Sequence, residues 1–200
     1  MAFTLPVPRA PLDDSSTRWY EYELGWPTAE GPPVQLLTGL RFDVLELPAD
    51  AGFALLRRCG RTGPVALAGS RMRFLVAAGS AEELPGLLGW LEWGGIALDL
   101  TALGTGGSIP APPPPHVRAA PSVPPQGAAV WLRPPEPGHE VEPSLPAFTA
   151  VGRKAGPGGG GGTPDLVRLV DAAANACHRA RLVRTNAAGP HTHAQPLAFS

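Results

Sequence analysis

Arginine is the side chain through which this sequence has most chemistry to offer. Arg71 and Arg73 stand at alternate positions of one short apolar run, and Arg41 opens another that continues Phe42-Asp43-Val44-Leu45-Glu46-Leu47. If both runs are strands, Arg41, Arg71 and Arg73 line one face of neighbouring strands, with Arg57 and Arg58 close by. A planar guanidinium matches phosphate oxygens bidentately, so such a row is a candidate nucleic-acid-binding patch. The competing reading is a solvated cationic edge. It is favoured by the balance of 16 basic against 17 acidic side chains, which lacks the basic excess of a polyanion binder.

The other reactive groups are sparse. Cys59 and Cys177 are too few and too far apart for a disulfide framework or a thiolate metal site, and each lies in a helical pattern, so reduced, buried or half-buried thiols are expected. His191-x-His193 has no third ligand at suitable spacing, and no metal site or cofactor is expected from it. Gly104-Thr105-Gly106-Gly107 has the glycines of a phosphate-cradling loop, but no Lys-Ser or Lys-Thr follows and no helix opens after it. A hairpin turn is the better reading there. Residues 158–162 are all glycine and read as flexible.

The elements that must position these groups lie within residues 38–100. Residues 41–47 read as a strand between Gly39 and Pro48, and residues 49–59 as a helix closed by Gly60. Residues 64–68 and 71–77 are β runs joined by Gly69-Ser70, a hairpin signal. Ser80 and Glu83 have the spacing of a capping box before a stripe of Leu84, Leu87, Leu88 and Leu91, and residues 96–100 read as the last core strand. The order strand, helix, strand, strand, helix, strand predicts an α+β fold. Its core is the split βαββαβ arrangement of ferredoxin-like and RNA-recognition folds, with helices on one face and the other face free. Phe42, Val44 and Glu46 share one face of the first strand, and Met72, Phe74 and Val76 oppose Arg71, Arg73 and Leu75. Which sets point outward is left open.

Around this core, residues 1–14 read as a flexible N-terminus, and Ser15 or Ser16 as the cap of a short helix bearing Trp19, Tyr20, Tyr22 and Leu24. Residues 34–37 read as a strand beside the first core strand, residues 108–111 as another, and Pro112-Pro113-Pro114-Pro115 as the start of a loop reaching Gln126. A strand within 127–133 returns to close an α+β domain of residues 15–133. Residues 134–162 form a Pro/Gly-rich linker, consistent with 26 prolines and 25 glycines in 200 residues. Thr163-Pro164-Asp165 opens an amphipathic helix over 163–184, and residues 185–200 are a tail. The helix places Leu166, Leu169, Val170, Ala173, Cys177 and Ala180 on one stripe, opposite Arg168, Asp171, Asn175 and His178. The chain has no leader-like start and no apolar run near the ~20 residues of a membrane span, so a cytoplasmic protein with no membrane role is expected.

Three ordered segments carry a family resemblance. They are Thr38-Gly39 with Leu45-Glu46-Leu47-Pro48; then Gly69-Ser70-Arg71-Met72-Arg73-Phe74; then Leu98-Asp99-Leu100 leading through Gly106-Gly107 to Ala111-Pro112-Pro113. In this order they resemble the core of the Prim-Pol domain, the archaeo-eukaryotic-primase-like module of bacterial bifunctional DNA primase/polymerases. Gly25-Trp26-Pro27 resembles the opening of that module and the Trp131 strand its close, so residues 17–133 are covered. The chain is also similar to small Ala/Gly/Pro-rich proteins of actinomycete type that look like shortened relatives.

In that family, paired acids hold the divalent metals of nucleotidyl transfer. The resemblance makes Glu46 the first acid and Asp99 the third, remnants of a catalytic set. Pro48 stands at the second acid and Met72 at the histidine that meets the nucleotide, and neither offers a metal oxygen or an imidazole. The expectation is a catalytically degenerate primase/polymerase-like domain acting as a binding or regulatory module for nucleic acid or a protein partner, without a cofactor. One alternative is a nucleotide-binding or nucleotidyl-transfer enzyme in which Glu46 and Asp99 converge on a divalent metal. Another is a structural protein–protein interaction module, docking through its C-terminal helix or through a sheet face of Phe42, Val44, Met72, Phe74 and Val76.

Overall fold

A computed structural model describes residues 14–60, 62–115, 127–137, 140–148 and 165–187. The chain runs through α1 (Asp14–Arg18), β1 (Thr28–Ala29), β2 (Gln35–Leu37), β3 (Phe42–Pro48) and α2 (Ala49–Arg58). There follow β4 (Val65–Ala68), β5 (Arg71–Ala77), α3 (Ser80–Trp90), β6 (Thr101–Leu103), β7 (Ser108–Pro110), β8 (Ala129–Arg133) and α4 (Leu166–Ala187). A π turn, Trp19–Glu23, extends α1, and a 3-10 turn, Glu142–Ser144, precedes α4. Residues 1–13 of the expected N-terminal segment 1–14, residues 188–200 of the expected tail 185–200, residues 158–162 and the Thr163-Pro164 helix start lie outside the described residues, whereas Asp14 opens α1 and residues 185–187 continue α4 instead of starting the tail.

The α+β architecture is as read. The main sheet has the order β6-β3-β5-β4-β8, with every neighbouring pair antiparallel. Its first four strands follow the split βαββαβ order: β3 and β4 flank β5, so they run parallel to one another and need the α2 crossover to connect them. Gly69, at φ +57, supplies the left-handed turn between β4 and β5. Among the described residues no helix is long and apolar enough to cross a membrane.

Each face of the sheet carries its own core. Leu45, Leu47, Met72, Phe74 and Val76 pack under α2, α3 and α4, while Phe42, Val44 and Leu75 lie under Trp19, Tyr20, Trp26, Leu36 and Ile109. The apolar face expected to unite Phe42 and Val44 with Met72, Phe74 and Val76 does not exist. Leu45 pairs with Phe74 and Leu47 with Met72, and directly paired residues share a face, so the two sets point oppositely. The face expected to be free is largely covered by the aromatic N-terminal segment and by a second sheet of order β1-β2-β7.

Three boundaries differ from the sequence reading for identifiable reasons. The last core strand is β6, not residues 96–100, because the chain leaving α3 first turns. The Trp93 amide donates to the Leu88 carbonyl and the Ile96 amide to the Trp93 carbonyl, and pairing with β3 begins only at Thr101 opposite Glu46. β2 does not pair with β3. It pairs with β1 and β7, since the Thr38-Gly39 turn (Gly39 φ +88) carries β2 onto the face of the main sheet. Residues 140–148 are a packed strap rather than linker: Val141 and Leu145 are buried in the aromatic core, and the Ala77 amide donates to the Pro146 carbonyl at 2.9 Å.

α4 belongs to the main core, burying Leu166, Leu169, Val170, Ala173 and Cys177 against the sheet and its helices. Its cap is Asp165, whose Oδ1 accepts the Val167 amide at 2.9 Å. The polar stripe expected to face away is used too. Asp171 Oδ1 accepts the Trp93 indole N–H at 3.1 Å, and the His178 ring lies 5.8 Å from that indole, which clasps the turn after α3 onto α4.

Candidate functional site

Sheet pairing places three of the site's four side chains, and the segment entering β6 brings the fourth. Glu46 lies opposite Arg73 across β3 and β5, and Arg71 is two residues along the same face, opposite Pro48. Arg71 Nε donates to Glu46 Oε1 at 3.0 Å and Arg73 Nε to Glu46 Oε2 at 2.7 Å. Arg71 Nη1 also donates to Asp99 Oδ1 at 2.7 Å. Asp99 arrives on the segment that enters β6, the strand on the other side of β3. Glu46, Asp99, Arg71 and Arg73 thus form one chain of charge-assisted hydrogen bonds, two acids against two cations.

Burial grades this network. The side chains of Arg73, Glu46 and Arg71 are 14, 17 and 26% exposed, and that of Asp99 is 53% exposed. Burial by itself lowers the Arg71 pKa, but the hydrogen bonds to Asp99 and Glu46 outweigh it and hold the guanidinium above its ordinary value. Arg73 Nη1 is buried with no hydrogen-bond partner among the described residues, and among those residues Glu46 is the anion paired with that side chain. An arginine that stays protonated has no lone pair to activate water and cannot act as a general base. The two guanidinium groups thus orient and lock the carboxylates of Glu46 and Asp99.

The other sequence candidates lie elsewhere. Arg41 is not in the row with Arg71 and Arg73. It precedes β3, and its Nη1 sits 3.7 Å from Glu142 Oε1 on the strap. Met72 lies on the opposite face from Glu46, packed beneath α2, where a Cβ added to Gly52 would come 2.4 Å from its Sδ. The position that the resemblance equates with a nucleotide-facing histidine is therefore outside this network. The Gly104–Gly107 segment is a turn locked onto Thr38: Thr38 Oγ1 donates to the Gly104 carbonyl at 2.6 Å and the Thr38 amide to the Gly107 carbonyl at 3.0 Å. Cys59 and Cys177 are free thiols, as read. Among the described residues no group of three or more His, Cys, Asp or Glu side chains could hold a metal ion, and His191 and His193 lie outside them.

Sequence reasoning missed Asp43. Its carboxylate is buried, and Oδ2 accepts the Ala81 amide at 2.8 Å across 38 positions, taking the place at the α3 N-terminus that Ser80 was expected to fill. Gly79 at φ +89 precedes the helix, and Ser80 makes no side-chain cap bond. The signal was an acid at a core-facing position of an apolar strand, a place where a carboxylate requires a partner. No family model, no curated protein and no solved structure matches this chain.

Proposed function

We propose that the chain is a catalytically degenerate primase/polymerase-like domain that works as a binding or regulatory module. The observation that carries this reading is the Arg71 guanidinium, hydrogen-bonded to both Glu46 and Asp99. These are the two acids that the resemblance assigns to the metal site. A fixed cation tied to the protein neutralises the acids permanently, whereas a divalent metal would keep open positions for phosphate and 3'-hydroxyl oxygens. Nucleic acid is one partner class implied by the resemblance. Because Arg71 and Arg73 are already paired with acids, a single strand bound on this face would have few of its phosphates neutralised and would be held weakly, with a shallow salt dependence.

The test is a titration with manganese and nucleotide, followed by tryptophan fluorescence and by extension of a primed template. No nucleotide binding and no extension are expected. Manganese-dependent binding that Glu46→Ala abolishes would return the chain to the altered-site enzymes and defeat the proposal. Polarisation of labelled single-stranded DNA at low salt then divides the partner classes. Binding weakened by Arg71→Ala with Arg73→Ala supports nucleic acid at this face, and no binding directs the module to protein.

A further inference from the structure

On the other side of the sheet, α2 and α4 pack side by side and leave a groove of about 530 Å³ between them. Its apolar lining comes from Ala51 and Ala54 on α2 and from Ala176, Ala180 and Val183 on α4, where larger side chains would close the gap. On α4 the lining follows the i, i+3, i+4, i+7 spacing of one helical stripe, with Arg179 among the alanines. Arg57 and Arg58 stand on the facing rim. All three arginines are exposed and make no ion pair or hydrogen bond among the described residues. The acid at this groove, Asp50, is already neutralised by Arg184 at 2.7 Å. The result is an apolar trough with uncompensated positive charge on both sides.

We propose that this groove docks an acidic amphipathic helix from a partner protein. Its apolar stripe would enter the alanine-lined floor, and its flanking carboxylates would meet Arg57 and Arg58 on one side and Arg179 on the other. Charge complementarity requires an anionic partner, and the lining favours a peptide over a single nucleic-acid strand. No aromatic side chain lines the groove to stack a base, whereas an aliphatic floor between two helices matches a third helix. The groove lies on the helix-covered face, away from Glu46, so this inference stands independently of the degenerate-site reading.

The experiment is a polarisation titration of the full chain with a fluorescein-labelled peptide of about fifteen residues, carrying Leu at helical i, i+4 and i+7 positions and Glu along both flanks. A peptide with Lys in place of Glu and a labelled oligothymidine are titrated alongside. The acidic peptide binds saturably and the basic one does not. Arg57→Glu with Arg179→Glu weakens binding by about tenfold or more, and Ala180→Trp, which fills the floor without changing charge, weakens it comparably. Arg168→Glu, at an exposed position of α4 outside the groove, leaves it unchanged. Far-UV circular dichroism confirms that each variant is folded. Absence of saturable binding, equal binding of both peptides, or indifference to both groove variants overturns the proposal. So does oligothymidine binding that the groove variants abolish while the peptide stays silent, which would assign the groove to nucleic acid.

Discussion

At the scale of single residues, the charged network on β3 and β5 is unequal in what each member holds. Glu46 is mostly buried and accepts from two guanidinium groups, so Glu46→Ala leaves Arg73 without an anionic partner in a place water barely reaches. A loss of about 2–3 kcal/mol is expected by urea denaturation. Asp99→Ala removes a partner that is half in solvent, and its cost should stay within about 1 kcal/mol. Equal losses would mean that Glu46 does not organise the network. A second residue-scale prediction concerns Cys177. Burial first, then the Asp99 charge, pushes its thiol from 9.0 up to about 12. The folded state holds the proton that the unfolded chain releases, so this contribution to stability is fully present below pH 9.0 and is lost as pH rises towards 12. Burial raises the Tyr20 phenol as well, against the lowering effect of its hydrogen bond from Trp131, and it acts in the same direction above pH 10.0. Urea midpoints should therefore fall above about pH 9, and Cys177→Ala should flatten part of that fall. A flat wild-type profile to about pH 11 would contradict this account.

At the scale of elements, helix beginnings and close approaches separate what local spacing predicts from what packing provides. Asp43→Ala removes the side chain that caps α3 from a neighbouring strand, and about 1–2 kcal/mol should be lost. Ser80→Ala should change stability by less than about 0.5 kcal/mol, since that hydroxyl makes no cap bond. The reverse ranking would restore the capping box read from Ser80 and Glu83. On α2, Gly52→Ala sets two effects against each other. Helix propensity favours Ala by about 1 kcal/mol, but the new Cβ would lie 2.4 Å from Met72 Sδ and 2.7 Å from its Cβ. Overpacking in the centre of the main core should win, giving a net loss of about 1–2 kcal/mol in thermal or chemical unfolding. The elements themselves were legible: β3, α2, β4, β5, α3 and α4 fall where periodicity put them, because a period of two or of 3.6 is written in neighbouring residues. Residues 96–100 and 140–148 were misread because an apolar run can dock as a turn, and a Pro-rich one can lie as a strap, when something apolar waits beneath it.

At the scale of the molecule, α4 closes the main core from a distant part of the chain. A chain ending at residue 162 would uncover the part of the main core that α4 shares with α2, α3 and β3, and it should lose cooperative unfolding and bind a hydrophobic dye. A soluble, monomeric and cooperatively folded fragment would show that α4 is an accessory element. The same long reach governs the candidate site. Glu46 and Asp99 were singled out by resemblance and Arg71 and Arg73 by alternation, yet nothing local said that the four would meet or that Arg41 would pair with Glu142 instead. By itself, the sequence determined the order of strands and helices and the residues alternating on each strand, since these depend on residues within a few positions of one another. Only the tertiary structure decided that Arg71 meets Glu46 across 25 positions and Asp99 across 28, that Met72 faces the helices, and that α2 and α4 leave a cationic groove. Strand register and helix pairing are choices among surfaces far apart in the chain, made by the combined burial of both faces of the sheet.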